Sequence, residues 1–355
     1  MTPQDKTPVM RDAGLDQRSA TTSGAISPFD TGIAQYGGRE LQPNRGIPLN
    51  LDRIDAVRVN TSAAERRAQT LVTRRTVKKE WQAAWLLRAI TCMDLTTLSG
   101  DDTEERVRRL CAKARQPIQQ ELVQKLGVES LGIRVAAVCV YHAFVETARR
   151  AVEGSGIHVA AVSTGFPAGL SPLPERVNEI RRSVEAGADE IDVVITRAHV
   201  FGARWQTLYD EIAMFKNACG PAHLKVILGT GDLLTLRNVA RASQVAMMAG
   251  ADFIKTSTGK EALNATLPAS LVMVRAIREY AQETGMAVGF KPAGGMRTAK
   301  QALEWLALMK EELGTSWMKA ELFRFGASGM LADIERQLAH FATGRYSAEY
   351  RHPIA

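Results

Sequence analysis

The chain has 355 residues, 45% of them hydrophobic, 23% charged and 6% aromatic, with a formal net charge of +7. That is enough for one large core or two modest ones, in the proportions of a soluble enzyme. No apolar run reaches membrane-spanning length and no Lys/Arg run is interleaved with aromatics, so neither a membrane nor a nucleic acid is expected as partner.

The opening residues lack an apolar stretch and carry Asp5, Asp12 and Asp16, against a secretory or transit segment. Residues 1–60 are rich in Gly, Pro, Ser, Thr and Asp without a period, and read as a low-structure, disordered or loosely docked extension. Deleting residues 1–50 is expected to spare the chemistry. Residues 61–87 turn helical, with Trp81, Trp85 and Leu86 as the docking face. From 88 to 345 strand and helix alternate, and 346–355 form a C-terminal tail. The predicted strands are 88–94, 135–141, 157–163, 189–195, 223–228, 252–256, 286–291 and 321–325. Helices are predicted over 103–115, 143–154, 174–186, 205–217, 235–249, 268–283, 298–313 and 329–343. Eight βα units in about 250 residues with continuously apolar strands predict an α/β fold of the TIM (β/α)8 barrel type. A doubly wound sheet would show a Gly-rich fingerprint after its first strand, and Asp94-Leu-Thr-Thr-Leu offers none.

Cys92, Cys111, Cys139 and Cys219 show no C-x-x-C spacing, and the six histidines show no ligand spacing. No metal, no cofactor and no disulfide framework is expected, and a reducing, cytoplasmic setting fits.

In a barrel the C-terminal strand ends share one mouth. Lys255 ends one apolar run (Asp-Phe-Ile-Lys, 252–255) and Lys291 the next (Val-Gly-Phe-Lys, 288–291). Burial and mutual repulsion lower an amine's pKa, and a neutral amine is what Schiff-base chemistry needs. Asp94, Cys139 and Asp192 are placed at the same mouth. Asp192 lies in an apolar run, where a carboxylate needs a cationic partner. With two lysines nearby, a proton-relay role is the better reading than a structural ion pair. Thr258-Gly-Lys260, Gly294-Gly295 and Gly326-Ala-Ser328 follow the last three strands, where small residues let amides approach a phosphate.

These segments resemble a known family. Met-Asp-Leu-Thr-Thr-Leu (93–98), Val-Cys-Val-Tyr (138–141), Ala-Gly-Ala-Asp-Glu-Ile-Asp-Val-Val (186–194), Asp-Phe-Ile-Lys-Thr-Ser-Thr-Gly-Lys (252–260), Gly-Phe-Lys-Pro-Ala-Gly-Gly-Met-Arg-Thr (289–298) and Phe-Arg-Phe-Gly-Ala-Ser (323–328) are similar to deoxyribose-phosphate aldolases, in their longer, animal-type branch. The resemblance covers about residues 80–345. It implies a cofactor-free class I aldolase that reversibly cleaves 2-deoxy-D-ribose 5-phosphate to D-glyceraldehyde 3-phosphate and acetaldehyde, in deoxyribonucleoside catabolism. By it Lys255 is the Schiff-base lysine, Lys291 its pKa-lowering neighbour and Asp192 the acid/base partner. Cys139, Thr258, Lys225 and Thr96 would surround the substrate, and Lys260, Gly294, Gly295 and Ser328 its phosphate. Gly229-Thr-Gly-Asp232 replaces the Glu-Thr-Gly-Glu of bacterial members, removing any role of that first acid. Tyr346 or Tyr350 would stand in for their terminal tyrosine. Another Schiff-base sugar-phosphate lyase on this fold, or a non-catalytic phosphate-binding barrel serving as a partner protein, remain as alternatives. A homo-oligomer is compatible with all of these.

Overall fold

A computed structural model describes residues 34–74 and 77–353; what the sequence predicts for residues 1–33, for 75–76 and for the last two residues of the tail lies outside the described residues. Eight parallel strands form the barrel: β1 (Met93–Thr96), β2 (Ala137–Tyr141), β3 (His158–Ser163), β4 (Glu190–Val194), β5 (His223–Ile227), β6 (Phe253–Lys255), β7 (Gly289–Lys291) and β8 (Phe325–Gly326). They lie side by side in the order β7-β6-β5-β4-β3-β2-β1-β8. Parallel bridges Phe290–Phe323 and Ala293–Gly326 close the ring between β7 and β8. Most strand residues are buried because helices cover the outer face and side chains fill the interior.

The predicted helices after each strand are present to within a few residues. The helix Leu267–Thr284 ends on Gly285, which at φ 70° adopts the left-handed conformation and donates its N–H to Ala281 at 2.9 Å. The strand expected over 88–94 starts later, because residues Lys79–Thr91 are a helix. Its apolar run buries Ala83, Leu86, Leu87, Ala89 and Ile90, and a short apolar run does not separate strand from buried helix by pattern alone. Trp81, expected in the docking face, is 54% exposed.

Within the segment 1–60, read from the sequence as a low-structure extension, residues 34–60 are packed against the barrel rather than loosely docked. Gln42–Pro43 pairs in parallel with Met286–Ala287, ahead of β7 and so at the end opposite the mouth. Leu41 is buried. Asn44 donates to Met247 O at 2.9 Å and Ala251 O at 2.8 Å, and its Oδ1 accepts from the Tyr280 hydroxyl at 3.0 Å. Helices Leu51–Ala56 and Thr61–Val72 are capped by Asn50 and Asn60. The segment has no period because side-chain-to-backbone bonds hold its first part, which no hydrophobic repeat records. Asn44→Ala leaves buried partners unpaired and is expected to cost about 1–3 kcal/mol, read from the urea midpoint. Turnover per folded molecule should be unchanged, since the mouth is at the other end.

Candidate active site

Seven ionisable side chains meet inside the barrel, none more than 3% exposed: Asp94, Glu190, Asp192, Lys225, Lys255, Lys291 and Arg324. Asp192 is the hub. Its Oδ2 accepts from Lys255 Nζ at 2.7 Å and from Lys291 Nζ at 2.7 Å, and its Oδ1 from Lys225 Nζ at 3.0 Å. Lys291 also donates to Asp94, and Lys225 to Glu190. Arg324 braces the far side, with Nη1 at 2.7 Å from Asp94 Oδ1 and Nη2 at 2.7 Å from Glu190 Oε1. Register brings the two lysines together: Lys291 pairs with Lys255 across β7 and β6, and Asp192 with Lys225 across β4 and β5.

The partners separate Lys255 from the other cations. Burial favours the neutral form of every one of them. Lys225, Lys291 and Arg324 nevertheless have their pKa values pushed up, because each faces at least two carboxylates. Lys255 faces one, Asp192, which it shares with Lys291. Burial and then the Lys291 charge outweigh the pull of Asp192, and its amine is held below the ordinary lysine value. Burial would raise the carboxylates, yet the surrounding cations hold Asp94 below the usual range and Glu190 and Asp192 well below it. Four cations thus face three carboxylates, and the set balances when Lys255 is neutral.

Cys139 lies fully buried in a small apolar cluster with Leu98, Ala160 and Val162, against which Tyr141 and Phe166 pack. Burial pushes its thiol pKa up and disfavours the thiolate. The loops after β6, β7 and β8 lie together. Ala293 N donates to Thr256 Oγ1 at 3.0 Å and the Ser257 hydroxyl donates to Ala293 O. Gly294, at φ 77°, lies so close to the loop after β6 that a Cβ would come 2.8 Å from Gly259 Cα. A Cβ on Gly295 would meet nothing within 4 Å, so its backbone is open. Lys260 is exposed and makes no ion pair among the described residues. The Ser328 hydroxyl is tied to the Thr96 backbone, donating to its carbonyl and accepting its N–H at 3.2 Å. Thr258 is likewise engaged, donating its hydroxyl to Glu261 at 2.6 Å.

Asp232 is ion-paired with Arg197 at 3.2 Å, away from the seven-residue cluster. Among the described residues, the tail makes no contact with the lysines. The 15-residue helix Gly329–Thr343 leaves the mouth and runs about 22 Å toward the other end before Tyr346. Tyr346 stacks on His340 at 4.2 Å, and Tyr346 and Tyr350 are 82% and 80% exposed. His352 is buried, with its Nε2 2.7 Å from the Ser347 hydroxyl and its Nδ1 3.1 Å from Glu335.

Reading the residues alone missed Glu190, Arg324 and Glu261. Glu190 stands two residues before Asp192, the spacing that puts both on one strand face. Arg324 sits between two phenylalanines, and a buried arginine needs carboxylate partners. Thr258-x-x-Glu261 has the spacing of a capping box.

The family model of DeoC/LacD family aldolases matches residues 88–331. A deoxyribose-phosphate aldolase of Homo sapiens is 57% identical over 314 residues, covering 88% of this chain and 99% of its own. One of Mus musculus is 58% identical over 313 residues, covering 88% and 98%. A solved deoxyribose phosphate aldolase of Aeropyrum pernix, 23% identical, superposes with a TM-score of 0.52 over 74% of this chain and 98% of that one, a likeness of fold.

Proposed function

The chain belongs to the DeoC/LacD family of aldolases, and we propose that it cleaves 2-deoxy-D-ribose 5-phosphate reversibly to D-glyceraldehyde 3-phosphate and acetaldehyde through a Schiff base on Lys255. The observation that carries this is the position of Lys255 as the fourth buried cation facing three carboxylates, with its amine pKa lowered.

In this reading the neutral amine of Lys255 adds to the aldehyde carbon of the open-chain sugar. Asp192, hydrogen-bonded to both lysines, and Lys291 supply and remove the protons that turn the carbinolamine into an iminium and water. The iminium accepts the electron pair of the breaking carbon–carbon bond as the substrate's 3-hydroxyl loses its proton. Glyceraldehyde 3-phosphate leaves, the enamine is protonated on carbon, and water releases acetaldehyde from Lys255. Lys225, Asp94, Glu190 and Arg324 hold Asp192 and Lys291 in place. Cys139 and its apolar neighbours line the site where the two-carbon fragment resides. The buried, unbridged thiols fit a cytoplasmic setting.

Lys260, the backbone of Gly294 and Gly295, and the start of the helix after Ser328 are assigned to the phosphate. Ser328 contributes through that helix start, since its hydroxyl serves Thr96. The reaction is tested by incubating the protein with 2-deoxyribose 5-phosphate and following glyceraldehyde 3-phosphate, with other sugar phosphates as controls. For the phosphate site, Gly295→Glu should raise KM for the phosphorylated sugar at least about tenfold more than for unphosphorylated 2-deoxyribose, because it puts a like charge beside the anion. Gly295 has φ 80°, so Gly295→Ala measures the backbone strain alone. Equal losses on both substrates would mean damage to the loop rather than to a phosphate contact.

A further inference from the structure

The loop after β6 already holds an anion. Glu261 folds back so that Oε1 and Oε2 each lie 3.0 Å from Thr258 N and Oε2 lies 3.1 Å from Gly259 N, while accepting the Thr258 hydroxyl. Two successive amides and a hydroxyl turned on one point are the donor set that backbone nests offer to phosphate. The nest adjoins the glycines assigned to the phosphate, since Gly259 and Gly294 are in near contact. Each N–H carries one proton, so these donors cannot serve Glu261 and a phosphate together. Glu261 is only half-buried and can swing outward.

We propose that Glu261 is a built-in stand-in for the substrate's phosphate, and that phosphate binding is an exchange in which the anion takes the amides of Thr258 and Gly259 as the Glu261 carboxylate leaves them. This rests on the phosphate reading of the loops after β6, β7 and β8. It makes Glu261 a specificity-setting residue. The carboxylate keeps the nest filled against weak anions, and it lowers the advantage of the phosphorylated sugar by having to be displaced.

The test is inhibition by inorganic phosphate, with KM for 2-deoxyribose 5-phosphate and for unphosphorylated 2-deoxyribose, in the full chain and in Glu261→Ala and Glu261→Gln. Removing a competing like charge should tighten phosphate inhibition about fivefold in both variants and raise the preference for the phosphorylated sugar by a similar factor. If alanine weakens phosphate binding while glutamine restores it, the carboxylate is a loop brace and the exchange is wrong. Unchanged phosphate affinity in both variants overturns it too. Lys260→Ala separates the two layers. If phosphate inhibition is indifferent to that change, the phosphate site itself is misassigned and the exchange falls with it.

Discussion

Replacing Lys255 with arginine is expected to lower retro-aldol turnover to background, by roughly four orders of magnitude or more. Arginine can keep the hydrogen bond that Lys255 donates to Asp192 at 2.7 Å. A guanidinium stays protonated and cannot add to a carbonyl. Arginine also sets a fixed fourth cation against three carboxylates, so turnover is scored only on protein shown to be folded by circular dichroism. Iminium formation, followed by borohydride-dependent labelling, should disappear with turnover. Near-normal activity in a folded Lys255→Arg protein would remove the nucleophile from this lysine.

Lys291→Leu carries the second large effect. Lys291 acts on Lys255 in two ways that share a sign. Its charge repels a second ammonium, and it competes for the Asp192 oxygen that would otherwise stabilise that ammonium. Without it the pKa of Lys255 rises, and the neutral amine appears only at higher pH. Unit charges about 4 Å apart at an effective dielectric of 20 repel by about 4 kcal/mol, an upper-range value that covers a shift of more than one unit. The acidic limb of the pH profile for iminium formation should move to higher pH by at least about one unit, with turnover at neutral pH falling tenfold or more. Asp94 and Asp192 each lose a buried partner, which costs stability of about 3–5 kcal/mol, so the profile is taken only where the variant is folded by circular dichroism. An unmoved limb with lost activity would leave Lys291 with its proton-carrying role alone and reject its electrostatic effect on Lys255.

Much of this was legible in the sequence because it is local. The alternation of apolar runs and helical periods marks the βα units, and a lysine closing each of two successive strands needs no partner to be noticed. The charge network was less legible because its pairings are remote. Arg324 meets Asp94 across 230 residues and Glu190 across 134, contacts that exist only once β8 closes the ring onto β1 and β7. Lys225 and Asp94 were visible as residues, but not as the counter-charges that leave Lys255 with one shared carboxylate. The start of the first strand was misplaced because the apolar Leu86, Leu87, Ala89 and Ile90 suit burial in a helix or in a strand alike. Residues 34–50 carry no hydrophobic period, and Asn44 ties them to the barrel through its side-chain bonds to Met247, Ala251 and Tyr280.

What decides the mechanism is which lysine forms the covalent bond to substrate. The most direct measurement is to reduce the protein with borohydride in the presence of acetaldehyde, digest it and map the modified peptide. The charge balance in the barrel predicts a single ethyl group on Lys255, with Lys225 and Lys291 unmodified because their carboxylate partners keep them protonated. An ethyl group on Lys291 or Lys225 instead, or no label in protein that is turning over, would contradict it.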